Sequence, residues 1–253
     1  MIDSVLSAPC VVFALDREAL GFRARFPFRQ RISSAPCRAW LAGHSSRLIL
    51  TLEAGIGQKS MARAVAWAMS KPVINNEPYL PPSLALAGFS GALESGLEPG
   101  DLVLATSVVD AQGNEIDATL PNRDLPNVRQ GKVVTVDFLV SAPKLKRELG
   151  ERHRALAVDM ESFTAARLCR EHNVPFVCLR AISDDIDMPL SADLVSLMSS
   201  GRPSIRKVVT AILRRPSIMR ELLKLARNTR HAAERLGETL ATLLVPERLI
   251  ADG

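Results

Sequence analysis

A three-layer α/β/α fold is what this sequence predicts, on three observations. Apolar runs of strand length alternate with segments of helical periodicity along most of the chain. Two of those runs, residues 155–158 and 174–182, flank a helical segment, 162–172, with Phe163, Ala166, Leu168 and Cys169 on or near its inner face. Just past the end of each run stands a carboxylate, Glu161 or Asp184. A strand–helix–strand unit is expected to bring both strand ends to one edge of a parallel sheet, where open α/β folds bind ligands. Two acids there can divide the labour, one holding a substrate and one moving a proton.

The elements follow in order. Residues 10–15 read as a first strand and 16–26 as a short helix after it. Residues 38–42 and 47–52 pair as a hairpin around Gly43-His44-Ser45. Glu53-Ala54-Gly55-Ile56-Gly57 is a glycine turn that opens a helix from Lys59 to Ser70. Residues 84–87 are a short buried strand ending in the turn Gly88-Phe89-Ser90-Gly91, and 101–106 a strand after Pro99-Gly100. Residues 110–129, with Gly113-Asn114 and several prolines, read as a loop. Residues 132–136 form a strand that ends at Asp137-Phe138-Leu139. Near the end, Ile218, Leu222, Leu225, Thr229, Ala232, Leu236, Leu240 and Leu243 recur at three- and four-residue spacing. They predict an amphipathic helix to Leu244 with Ser217 as its N-cap. Residues 1–195 are thus expected to form a catalytic domain, and 196–253 a basic helical extension packed on it.

Composition narrows the class. The chain has 253 residues, enough for one such domain with a substantial core, and 47% of them are apolar. No apolar run is long enough to span a bilayer, and no basic segment leads into a long apolar one at the start. Cys10, Cys37, Cys169 and Cys178 are scattered, and the last two lie in apolar elements, as buried thiols of a reducing cytoplasm do. The four histidines show no metal-ligand spacing, so no metal or redox cofactor is expected. The net charge of +5 is localised. From Ser196 onward eleven Lys/Arg face five acids, which leaves the preceding residues at −1. Arg220, Lys224, Arg227, Arg230 and Arg235 crowd the polar sides of the last helix. That charge suits an acidic surface, such as lipid head groups. Nucleic acid is not expected as a partner, because no aromatic residues interleave with the basic ones to stack bases.

Met160-Glu161 and Arg180-Ala181-Ile182-Ser183-Asp184, with Gly55-Ile56-Gly57 and Gly100-Asp101-Leu102-Val103 in corroborating positions, resemble the purine nucleoside phosphorylase and methylthioadenosine/adenosylhomocysteine nucleosidase superfamily. The resemblance spans about residues 11–190. It implies that the central sheet is mixed and partly barrel-like. It implies that Met160 and Glu161 grip a ribose, and that Asp184, beside Ser183, faces a purine and delivers a proton at N7. Glu18 falls where the hydrolases carry a water-activating Glu, and Arg17 near a phosphate-binding Arg of the phosphorylases. Gly57, Phe89 and Ser90 lie where backbone N–H groups meet the nucleophile. Two departures stand out: Phe89 replaces a Ser, and Leu139 replaces a stacking Phe, with Phe138 one place earlier.

Both nucleophiles are therefore open, water and phosphate, with phosphate the preferred reading and inorganic phosphate the one co-substrate implied. The tail, Gly201-Arg202-Pro203, Leu213-Arg214-Arg215-Pro216 and Leu222-Leu223-Lys224-Leu225-Ala226-Arg227, resembles the hopanoid-associated phosphorylase branch, linked to removal of adenine from adenosylhopane. That implies a lipid-linked nucleoside and contact with an anionic membrane face. A soluble methylthioadenosine-type nucleoside is the alternative, and a non-catalytic polyanion binder the weakest. The last helix alternatively packs on the core or on a second subunit, a homodimer being the expected assembly.

Overall fold

The structure is a computed structural model that describes residues 5–44, 47–188 and 217–244, with side chains in the last segment from residue 227. The chain runs β1 (Cys10–Phe13), α1 (Leu20–Arg25), β2 (Phe28–Arg31), β3 (Arg38–His44), β4 (Arg47–Glu53), α2 (Gln58–Met69), β5 (Val73–Ile74), β6 (Glu77–Pro78), β7 (Leu84–Ala92) and β8 (Leu102–Asp110). It continues through β9 (Glu115–Asp117), β10 (Val128–Thr135), α3 (Pro143–His153), β11 (Ala155–Asp159), α4 (Ser162–Glu171), β12 (Phe176–Asp184) and α5 (Ser217–Leu244). The main sheet has the order β11-β10-β8-β12-β7-β1-β4-β3-β2, with β9 on β8. A further antiparallel pairing of β11 with β7 closes β7, β12, β8, β10 and β11 into a ring. The sheet is thus mixed and partly barrel-like, with helices on its faces.

Ring closure corrects the expected edge. β12 runs parallel to β7, whereas β11 runs antiparallel to it. The two acid-bearing strands are therefore not neighbours on one parallel edge. Instead Val158 of β11 and Asp184 of β12 both sit opposite Gly91 of β7. Beyond Val158 the chain continues back along β7, towards the level of Gly88, and carries Asp159 and Glu161 with it.

The segment Gly88-Phe89-Ser90-Gly91 is correspondingly strand, not turn. A run of small residues reads as a turn in sequence, but here its small side chains leave room for neighbours on both sides. β8 extends to Asp110, and the expected loop is interrupted only by the short β9, whose Ile116 is buried against the core, before β10 begins at Val128. The helix expected over 16–26 starts only at Leu20; the turn before it buries Glu18. Helix α3 was hidden by its charge. Pro143 opens it, and only Lys146 and Leu149 of its residues are buried.

Helix α5 supplies the remaining cover. Ala232, Leu236 and Leu240 are fully buried in a cluster with Phe13, Phe22, Leu102 and Leu104. This corrects the lipid reading for the described part of the stripe: from Ala232 to Leu240 it is spent on the core. Arg227 and Arg230 are exposed, while the side chains of Arg220 and Lys224 and the tail pattern over 201–216 lie outside the described residues. Among the described residues no helix is long and apolar enough to cross a membrane.

Helices α1 and α5 cross backbone against backbone. A Cβ on Gly21 would lie 2.2 Å from the Ala233 carbonyl oxygen, and one on Gly237 2.1 Å from the Gly21 carbonyl carbon. Neither neighbour is a flexible side chain that can swing aside. Gly237→Ala should therefore destabilise the protein by about 1–3 kcal/mol, as overpacking does. A urea titration reads this directly, and an unchanged midpoint would show that the helices can part without loss.

Candidate active site

A buried arginine organises one end of the barrel. Arg180, in the middle of β12, is 0% exposed. Its guanidinium pairs with Asp159 and donates to Ser162 Oγ, at 2.7 Å from Nη2 and 3.2 Å from Nε. Asp159 also accepts a bond from Thr135 Oγ1 at 2.7 Å. Burial alone would lower the arginine's pKa, but Asp159, supported by Cys178, Glu161 and Glu18, outweighs it and holds the value above its ordinary one. Arg180 is spent on this structural ion pair, while Asp184 lies further along β12, at the strand's end.

Gly88 makes room for this arrangement. A Cβ there would lie 2.6 Å from Arg180 Nη1 and 2.7 Å from Glu18 Oε1. Glu18 enters from the turn after β1 and is buried. Its Oε2 accepts from the Ala14 and Leu15 N–H groups, and its Oε1 from Phe89 N–H, each at 2.8 Å. Burial pushes its carboxyl above the usual range, against the opposing pull of those hydrogen bonds and of Arg180.

Glu161 comes from the turn between β11 and α4. Its Oε1 accepts the Gly57 N–H at 2.6 Å, at the start of α2. Burial, then the neighbouring Asp159, pushes its carboxyl up to about 7. Met160 beside it is half-buried.

Asp184 lies further along, at the end of β12. Ser183 Oγ is 2.6 Å from its Oδ1 and 3.2 Å from the Ser90 carbonyl. Its Oδ2 accepts from Lys146 Nζ, which also donates to the Asp185 carbonyl at 2.6 Å. Ser90 Oγ is buried and has no hydrogen-bond partner. Helix α5 reaches the same place, where Asn228 Nδ2 contacts the Ser183 carbonyl at 3.4 Å.

The structure thus brings together Glu18, Gly57, Phe89, Ser90, Met160, Glu161, Ser183 and Asp184. It does not bring in Arg17, whose side chain is exposed to solvent. Phe138 stands at the surface, 47% exposed, with Leu139 half-buried beside it. Three residues were missed in sequence. Asp159 and Ser162 flank the acidic motif and look like ordinary strand-end polar residues. Lys146 is masked by Lys144, Arg147 and the acids around it. Its one signal is that it falls three residues before Leu149, on the inner face of α3.

Known proteins are similar to this chain in sequence and in fold. Residues 115–214 match the sequence profile of the phosphorylase superfamily. A 5′-methylthioadenosine/S-adenosylhomocysteine nucleosidase of an Exiguobacterium species is 27% identical over 194 residues, which cover 66% of this chain and 80% of that protein. The Bacillus cytotoxicus protein of the same name is 26% identical over 207 residues, covering 69% and 84%. In fold, the chain is similar to the Helicobacter pylori 5′-methylthioadenosine/S-adenosylhomocysteine nucleosidase, with a TM-score of 0.68 at 14% identity, over 95% of this chain and 98% of that one. It is similar also to the Helicobacter pylori futalosine hydrolase, with a TM-score of 0.67 at 14% identity, over 94% and 97%. An overlay of 95% omits fewer residues than the 28 of α5, so at least part of that helix has a counterpart in the nucleosidase fold.

The carboxyl of Glu161 makes stability depend on pH. Its folded value, about 7, lies above the ordinary 4.5. The folded protein therefore keeps a proton that the unfolded chain has already released. The associated stability is complete below the lower value and is lost as pH rises through the upper one. Glu161→Gln should raise the melting temperature at about pH 8, by the equivalent of about 1–3 kcal/mol, and change it little at about pH 4. An equal effect at both pH values would show that the carboxyl titrates normally.

Proposed function

We infer that this chain is a member of the phosphorylase superfamily, an enzyme that cleaves the N-glycosidic bond of a purine nucleoside, and that water is its nucleophile. One observation carries the choice of water. The backbone donors that could cradle a phosphate dianion are already committed to carboxylates: Phe89, Ala14 and Leu15 N–H to Glu18, and Gly57 N–H to Glu161. Arg180 is committed to Asp159, and Arg17 faces solvent. Among the described residues, a dianion entering here meets two carboxylates and no free guanidinium. This replaces the preference for phosphate drawn from the sequence.

The roles then follow from position. Water at C1′ loses its proton to Glu18, whose raised carboxyl is a better base than an ordinary glutamate. Glu161 accepts hydrogen bonds from the ribose hydroxyls, which strengthen as the sugar becomes oxocarbenium-like. Asp184 serves N7 of the departing base, with Ser183 fixing its orientation. Met160 covers the sugar. The substrate supported best is a soluble adenine nucleoside with a small 5′ substituent, as the names of the related nucleosidases suggest. The helix that pointed to a lipid-linked nucleoside spends the described part of its stripe, Ala232 to Leu240, on the core.

Adenine release from methylthioadenosine in phosphate-free buffer, with the free sugar as the second product, is the expected result. Glu18→Gln and Asp184→Asn should each lower kcat by about 10²–10⁴-fold. A sugar 1-phosphate product, or a rate that requires added phosphate, would restore phosphorolysis. Turnover of an adenosyl lipid alone would restore the membrane substrate.

A further inference from the structure

Asp184 has the position of a proton donor but the surroundings of an ionised carboxylate. Lys146 Nζ stands 2.5 Å from its Oδ2, and the lysine side chain is fully buried. A carboxylate in such a pair has no proton of its own to give. The neighbouring charges are engaged elsewhere. On and against α3, Arg147 pairs with Asp187, Lys144 with Glu148 and Lys132 with Glu115. On β11, Asp159 pairs with Arg180, and Glu161 is bonded to Gly57. On α5, Arg230 pairs with Glu234, Arg227 is exposed, and His231 lies against Gly100. Lys146 and Asp184 therefore face each other as a net-neutral ion pair, beside Asp185, whose carbonyl also accepts from Lys146.

We propose that Lys146 is the source of the proton that reaches the leaving base, with Asp184 as the relay. This rests on the nucleosidase reading above. A proton moving from Nζ to Oδ2 turns an ion pair into a neutral amine and a neutral acid, and the pair's net charge does not change. A site of low dielectric resists net charge but not that exchange. As the C1′–N9 bond breaks, its electrons pass into the purine, and the proton on Asp184 passes to N7. Asp184 is again a carboxylate, and Lys146 is left as a neutral amine. The attacking water supplies the oxygen at C1′ and gives its proton to Glu18. Lys146 is reprotonated from solvent once the base has left. Lys146 touches no substrate; it acts through Asp184 and is a positioning residue.

Arginine separates this from a merely structural charge, because a guanidinium can hold Asp184 but does not release a proton. The test compares wild type, Lys146→Met and Lys146→Arg on methylthioadenosine and on p-nitrophenyl β-ribofuranoside, whose phenolate departs without a proton. On the adenine nucleoside both variants should lose about 10²-fold in kcat, with KM little changed. In Lys146→Met the alkaline limb of the pH profile should move to lower pH, because Asp184 must then find its own proton. Turnover of the nitrophenyl riboside should be spared, which also reports an intact fold. Full turnover by Lys146→Met, an unshifted profile, restoration by Lys146→Arg, or equal loss on both substrates would each overturn the proposal. A wild type that releases adenine from no nucleoside would instead overturn the reading on which it rests.

Discussion

The contact on which the candidate site depends is the pairing of Arg180 with Asp159 inside the barrel. A guanidinium with no solvent exposure persists only where carboxylates and hydroxyls replace its water. Asp159 and Ser162 do this directly, while Glu161 and Glu18 contribute through their charge. Removing one partner of such a pair generally costs about 3–5 kcal/mol, because the other is left buried and uncompensated. The same charge keeps two further carboxylates tolerable in a dry place. Gly88 then follows as a necessity, since any side chain there would strike both Arg180 and Glu18.

The site has two stations along β12. At the level of Arg180 the carboxylates of Glu18 and Glu161 collect, suited to a sugar and its nucleophile. At the strand's end Asp184 collects Ser183 and Lys146, suited to a heterocycle. Strand register, more than any loop, sets the distance between them. β7 carries both levels, since Gly88 pairs with Arg180 and Gly91 with Asp184. Backbone donors are few at this edge, and the protein has assigned those near the sugar to its own acids.

Much of this was legible in the sequence. Met160-Glu161 and Ser183-Asp184 were found because their acids follow apolar runs. Glu18 was found only through resemblance, since in isolation it reads as part of a solvated helical turn. The strand alternation gave the layers. It did not give the antiparallel pairing of β11 with β7, which depends on closure of the ring and leaves no periodic trace. Gly88 and Gly91 looked like turn residues because composition does not distinguish a bend from a strand that must leave space for others. Lys146 was hidden because burial of a lysine is decided by a partner 38 residues away.

The crossing of α1 and α5 bears on how the chain reaches this state. Phe13 and Phe22 are completed by Ala232, Leu236 and Leu240, which come from far along the sequence. During synthesis the first strand and helix must wait, with that apolar surface uncovered, until α5 has emerged from the ribosome. Closing so long a loop is entropically slow, and surface left open meanwhile invites misassociation. The turn that holds Glu18 lies between β1 and α1, so it borders the apolar surface that α5 covers. Packing around that turn is thus coupled to the docking of α5, a contact between distant parts of the sequence.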